Sequence, residues 1–287
     1  MHARTKQHSP HSITVEIEAE SGKDWEWWAL LRTDAHHDNS HASHELEIEH
    51  LEEAVKRKAG IFDAGDLFDA MQGRDDPRRE PEALRQEHRG SDYFDQIVES
   101  AADFYEPYAA SWFLLSPGNH ETAAEKRYGV SLTNRLASEL RRRGASELRT
   151  GAYTGFVRFQ ARRGRARYST VMAWHHGYGG GGGTTKGVGQ LQRLANTYPD
   201  ASIIWTGHTH DAWTVHQARS RLRANGATDF DRLTAIRTPG YKIEQIDRKG
   251  WAVERGGEPK PIGAAWLRFW IDRQTERLRF EVREALA

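Results

Sequence analysis

Ile203-Ile204-Trp205-Thr206-Gly207-His208-Thr209-His210 joins an apolar run to a glycine and two histidines one residue apart. A strand that ends at a sheet edge reads this way. In an extended segment His208 and His210 point the same way, because strand side chains repeat every two residues. Two imidazoles on one side of a strand end make half of a metal site, since neutral imidazole binds transition metals well. Four earlier segments share the layout. Trp25–Thr33 delivers Asp34-Ala35-His36, and Ile61–Ala64 delivers Gly65-Asp66-Leu67-Phe68-Asp69. Trp112–Leu115 leads to Gly118-Asn119-His120-Glu121, and Arg167–Trp174 leads to His175-His176-Gly177.

Ligands gather at the carboxyl ends of strands in α/β sheets. Five such turns would bring carboxylates, an amide and several imidazoles into one place. That cluster is severely destabilising unless cations neutralise it, and two divalent ions would balance it. Cysteine is absent from the 287 residues, which excludes disulfides, thiolate metal sites and a cysteine nucleophile. The metals must then be held by His, Asp, Asn or Glu, a set that suits Mn, Fe, Zn or Ni better than a structural zinc.

The rest of the chain predicts a layered α/β sandwich, with strand–helix–strand order early and β-rich segments late. Residues 1–24 read as a loose N-terminal arm, with a short strand at Ile13–Ile17. Residues 25–287 read as a single domain. Helices are expected after Leu46 (stopped by Gly60), over Tyr93–Tyr108, Leu132–Arg143 and Gln190–Tyr198. Residues 72–90, charged and twice interrupted by proline, read as a loop with room for one helical turn. Lys plus Arg equals Asp plus Glu at 41 each, so no global basic excess points to nucleic acid. No apolar stretch approaches the roughly 20 residues needed to cross a bilayer. A cytoplasmic protein without a membrane partner is the expectation.

The ordered set D-x-H, GDxxD, GNH[DE], His and GHxH, over residues 34–210, resembles the calcineurin-like metallophosphoesterases. That resemblance implies a four-layer α/β/β/α sandwich and a dinuclear metal centre. Carried over by residue, Asp34, His36 and His210 would hold one ion, and Asp66 would bridge both. Asn119, His208 and one histidine of the 175–176 pair would hold the second. His175 is favoured because it falls where the strand ends, which leaves His176 near the substrate phosphate. His120 would be catalytic, stabilising the phosphoryl group or protonating the leaving oxygen, with Asp69 orienting its ring. A metal-bridging hydroxide would attack phosphorus in line.

The protein phosphatase branch follows GDxxD with Arg-Gly, whereas Ala70-Met71 stands here. Ala64–Asp69 is similar to the second motif of the family's DNA-repair exonucleases. His-His-Gly, a glycine run and GHTH are similar to small phage and bacterial phosphoesterases. Phosphodiesters of nucleotides or nucleic acid are therefore expected ahead of phosphomonoesters. A DNA-end nuclease and a non-catalytic binding module on the same fold are the alternatives. The run Gly177–Gly183, continued by Thr184-Thr185-Lys186-Gly187, offers bare N–H groups and the Lys186 ammonium to a phosphate, or else moves as a loop over the site. His37, His41, His44 and His50 read as a solvated loop and helix face.

Overall fold

The computed structural model describes residues 3–20, 24–71, 76, 81–180, 184–222, 224–243 and 256–287. Three short apolar strands set the frame: β3 (Glu26–Arg32), β4 (Gly60–Asp63) and β5 (Trp112–Leu115), paired in parallel. Before β3 come β1 (Ala3–Ser9) and β2 (Ser12–Glu18). Helix α1 (His44–Arg57) joins β3 to β4, and α2 (Tyr93–Tyr105) precedes β5. Then follow α3 (Asn119–Tyr128), α4 (Leu132–Arg142), β6 (Arg149–Thr150), β7 (Thr154–Arg163), β8 (Ala166–His175), α5 (Gln190–Thr197) and β9 (Ile203–Thr206). The last strands are β10 (Trp213–Leu222), β11 (Thr228–Arg237), β12 (Gly263–Asp272) and β13 (Arg277–Leu286).

Among the described residues these strands form two mixed sheets, one ordered β1-β2-β7-β8-β9-β11-β10 and the other β13-β12-β3-β4-β5-β6. Period-two alternation decides which side chains enter which layer. Trp27, Ala29 and Leu31 point between the sheets, where they meet Ile13, Val15, Phe159, Trp174 and Trp205 from the other sheet. Trp28 and Leu30 point outward onto α1, α2 and α4 through Leu51, Ala54, Ile97, Ala101, Leu136 and Leu140. On the far face, Ala173, Ile204 and Ala235 pack against Leu191 and Leu194 of α5. The result is an α/β/β/α sandwich, as expected. No described helix is long and apolar enough to cross a membrane.

Two expectations change, and one element is added. Residues 3–18 are not a loose arm: they form a hairpin whose second strand pairs in parallel with β7, burying Ile13, Val15 and Ile17 completely. Gly60 does not stop α1. Lys58 does so in a left-handed conformation, and Gly60 is the first residue of β4, where a Cβ would meet the Trp27 ring at 2.9 Å. Helix α3, which begins at Asn119, was not legible, because it is polar and buries only Glu121 and Ala124. Of the expected loop 72–90, residues 72–75 and 77–80 lie outside the described residues, and two 3-10 turns follow.

Beneath the ends of β3 and β4 lies a fully buried ion group. Arg32 donates to Asp63 at 2.9 Å and meets Glu47 at 2.6 Å, with Tyr105, Trp112 and Tyr241 rings around its guanidinium. Arg32→Met would leave two carboxylates buried without their cation. A loss of about 3–5 kcal/mol in urea unfolding is expected. A change below about 1 kcal/mol would mean that the group contributes nothing net.

Candidate metal centre

Each strand end contributes a turn, and the turns are locked to one another. Asp34 N–H donates to the Gly65 carbonyl at 2.9 Å, His36 N–H to Asp66 at 3.1 Å and His37 N–H to Leu67 at 2.7 Å. Gly65 has φ +110°, and a Cβ there would lie 2.3 Å from the Gly118 nitrogen, so these two turns touch through bare backbone. The buried Glu121 carboxylate ties them together. It accepts from Asp66 N–H (3.1 Å), Phe68 N–H (2.9 Å) and Gly118 N–H (2.8 Å). On the other sheet, Gly207 N–H donates to the His176 carbonyl, and His208 N–H reaches across to Asp34 Oδ2 at 3.0 Å.

The backbone is strained here. Asp34, His36, Asp66, His208 and His210 all have φ between 47° and 75°. Left-handed conformations are unfavourable for residues with a Cβ, by roughly 1–2 kcal/mol each. Strain of this kind clusters where a side chain must be aimed.

What is aimed is a set of imidazole lone pairs. His36 Nδ1 bonds Asp69 Oδ1 at 2.8 Å, His176 Nδ1 bonds the Ala64 carbonyl at 2.9 Å, and His120 Nδ1 bonds the Asp69 carbonyl at 2.5 Å. Each bond fixes the ring proton on Nδ1 and leaves Nε2 bare, the arrangement of metal-ligating histidines. The bare nitrogens face other acceptors. His36 Nε2 lies 3.3 Å from His210 Nε2, and His176 Nε2 lies 3.1 Å from Asp66 Oδ2 and 3.0 Å from Asn119 Oδ1. His120 Nε2 stands 3.6 Å from Asp66 Oδ2. Asp34 Oδ1 is buried without a hydrogen bond of good geometry, 3.4 Å from His210 Nε2.

Three overlapping groups therefore have their ligand atoms within 4.8 Å of one another: Asp34/His36/His210, His36/Asp66/His120 and Asp66/His176/His208. Lone pairs crowded against carboxylates need a cation among them. Without a metal, a proton takes that place: burial opposes charge on His176, but Asp66 and Asp34 outweigh it and raise its pKa to about 9. Burial likewise opposes ionisation of Asp66, yet His120 and His176 hold it far below the usual carboxylate range. The donor set fits two hard or borderline divalent ions.

The structure brings together Asp34, His36, Asp66, Asn119, His120, His208 and His210, and the histidine of the 175–176 pair that lies among them is His176. Strand alternation is the reason. Met172 and Trp174 point between the sheets, so His176, two residues on, turns into the cleft, whereas His175 faces outward. His175 Nδ1 accepts from Gly177 N–H at 2.9 Å, and its ring packs edge-on against Tyr153 and Tyr178. His176 is thus a candidate ligand rather than a phosphate contact.

Asp69 also differs in detail. Its carboxylate orients His36, while its carbonyl holds His120; Asn39 and Asp38 fix it in turn through bonds of 3.0 Å to Oδ2 and 2.6 Å to its N–H. Lys186 is not in the cluster. Its ammonium pairs with Glu258 at 3.1 Å. Residues 181–183 of the glycine run lie outside the described residues.

His37 and His50 are buried rather than solvated. His37, His44 and Glu47 also come within 4.8 Å of one another. The two rings stack nearly parallel at 4.6 Å, and Glu47 is already bound by Arg32 and Tyr105, so this group is aromatic packing beside the ion group. Glu121, Asp38 and Asn39 had no assigned role in the sequence. Only Glu121 carried a signal, as the fourth residue of the GNH[DE] pattern.

No protein-family model and no curated protein matches the chain. Among solved structures, it is similar to a conserved uncharacterized protein from Streptococcus pneumoniae TIGR4, described as a predicted phosphoesterase. That match has 12% identity and a TM-score of 0.34, covering 91% of this chain and 100% of the other. The calcineurin-like phosphoesterase YfkN from Bacillus subtilis matches at 11% identity and a TM-score of 0.41, covering 92% of each chain. GAP50, the anchor in the inner membrane complex of Plasmodium, matches at 10% identity and a TM-score of 0.44, covering 92% of this chain and 85% of that one.

Proposed function

We propose that the chain is a dinuclear metal-dependent phosphoesterase acting on phosphodiesters of nucleotide or nucleic acid type. One observation carries the reading: His36, His120 and His176 have their Nδ1 protons fixed by protein oxygens, and their Nε2 atoms converge, those of His120 and His176 on the buried Asp66 carboxylate (with the Asn119 amide beside His176) and that of His36 on His210 Nε2. In this reading Asp34, His36 and His210 would hold one ion, Asn119, His176 and His208 would hold the other, and the Asp66 carboxylate lies within reach of both groups. When bound, two such ions, of which Mn is favoured, would lower the pKa of water and neutralise phosphoryl oxygens.

The chain's own residues do the rest. His120 has its Nδ1 proton committed to the Asp69 carbonyl, and its side chain is 12% exposed. A proton on its Nε2, aimed at a phosphoryl or leaving oxygen, would therefore make the ring an imidazolium facing Asp66 Oδ2 at 3.6 Å. The Asp69 carboxylate keeps His36 in one tautomer. Lys242, 3.7 Å from Asp69 Oδ1, adds a cation beside this pair. The preference for diesters rests on the likeness of Ala64–Asp69 to the nuclease motif.

The test is hydrolysis of bis-p-nitrophenyl phosphate against p-nitrophenyl phosphate, after chelator treatment and after Mn is restored. Diester turnover that chelation removes and Mn returns is expected. Monoester-only turnover would reassign the protein to the phosphatases. Turnover unaffected by chelation would remove metals from the reading.

A further inference from the structure

We infer that Arg237 positions the His208-Thr209-His210 turn and, through Gln190, couples that turn to the segment following the glycine run. The inference rests on the phosphoesterase reading above. Arg237 is the last residue of β11, opposite Thr206 of β9 on one side and Trp213 of β10 on the other. The register thus delivers its guanidinium to the point where β9 ends and the histidine turn begins. The residue is 2% exposed.

Its donors fan out to three segments. Nε donates to Thr206 Oγ1 at 3.1 Å, Nη1 to Thr209 Oγ1 at 2.8 Å and Nη2 to Gln190 Oε1 at 2.8 Å. Gln190 Nε2 then donates to the Tyr178 carbonyl at 2.7 Å, which ties the start of the glycine run to the same residue. The Trp213 ring lies 5.1 Å from the guanidinium, and Trp213 Nε1 donates to the Lys186 carbonyl at 2.9 Å. The backbone has been shaped to admit Arg237. Gly187 has φ +75°, and a Cβ there would fall 1.9 Å from Nη1.

The turn needs such a brace. His208 and His210 both hold left-handed φ values, 75° and 54°, so the backbone alone does not favour this conformation. Thr209 lies between them, and its hydroxyl is the handle by which Arg237 holds both. Arginine suits the task because its planar fork fixes several acceptors at once, which a lysine ammonium on a flexible stem does not. Arg237 is a positioning residue: it touches ligands' neighbours and not the reacting atoms.

Thr209→Val removes the handle while keeping both histidines and the side-chain shape. Arg237→Lys keeps the charge and loses the fork. Both variants are expected to bind Mn about 10–100-fold more weakly by calorimetry, the usual consequence of losing an outer partner of a metal ligand. The unfolding midpoint of metal-free Thr209→Val should fall only by what one part-buried hydrogen bond contributes, with the fold retained. In metal-free protein, the ring carbon–proton signals of His208 and His210 should broaden or split in Thr209→Val. Unchanged ring signals would overturn the inference whether or not the wild type binds metal. So would wild-type Mn affinity in Thr209→Val. Failure of the wild type to bind Mn at all would instead remove the phosphoesterase reading.

Discussion

Asp66→Asn is expected to lose hydrolysis by at least about 10²–10³-fold, on the order of removing a central electrostatic stabiliser, and to lose both metal ions on dialysis. The substitution is clean for a structural reason. Asp66 has φ 53°, and asparagine tolerates left-handed backbone better than other residues with a Cβ. The amide oxygen of the variant can still accept from His120 N–H, as Asp66 Oδ1 does at 2.9 Å. What disappears is the charge that faces His176 at 3.1 Å and His120 at 3.6 Å. Metal content by plasma emission spectrometry, read beside diester turnover, decides the matter. A variant that keeps two ions per chain would show that Asp66 does not join them.

The second large effect separates adjacent histidines. His176→Asn should lose one ion and reduce turnover by more than the roughly 10–100-fold typical of an outer partner, because its Nε2 faces both Asp66 and Asn119. His175→Asn should stay within several-fold of wild type, since His175 contacts Gly177 N–H, Tyr153 and Tyr178. The reverse pattern would restore His175 as the ligand. Equal losses in both variants, with a lowered unfolding midpoint in each, would point to the β8 end as a structural element only.

The strand ends at residues 32, 63, 115 and 206 were legible because apolar runs stop there against Gly, Asp, Asn or His. The site followed from the same contrast. Where the reading failed, the missing information was spatial. Period two would have chosen His176 if Trp174 had been fixed first as a core residue, but which face of β8 is inner depends on Ile13, Phe159 and Trp205 from other strands. The hairpin at residues 3–18 looked loose because its neighbour, β7, is far away in sequence. Glu121 and Arg237 act on turns 53 and 28 residues from themselves. Short-range periodicity carries no trace of such partners. The polar helix α3 is the complementary case, because an element that buries only two side chains leaves little pattern to read.

The parallel pairing of β2 with β7 bears on how the chain is made. Ser12 meets Phe156 in that register, so β7 leaves the ribosome roughly 140 residues after β2, or about 7–30 s later at ~5–20 residues per second. During that interval β1 is the one described strand that can pair with β2, and Ile13, Val15 and Ile17 can meet β3 without β7, β8 and β9 beside them. The sheet that ends in β10 is thus completed late, and closure of the sandwich is governed by long-range contacts, which form slowly. Nascent chains of this protein are therefore expected to depend on holding chaperones more than their finished stability would suggest.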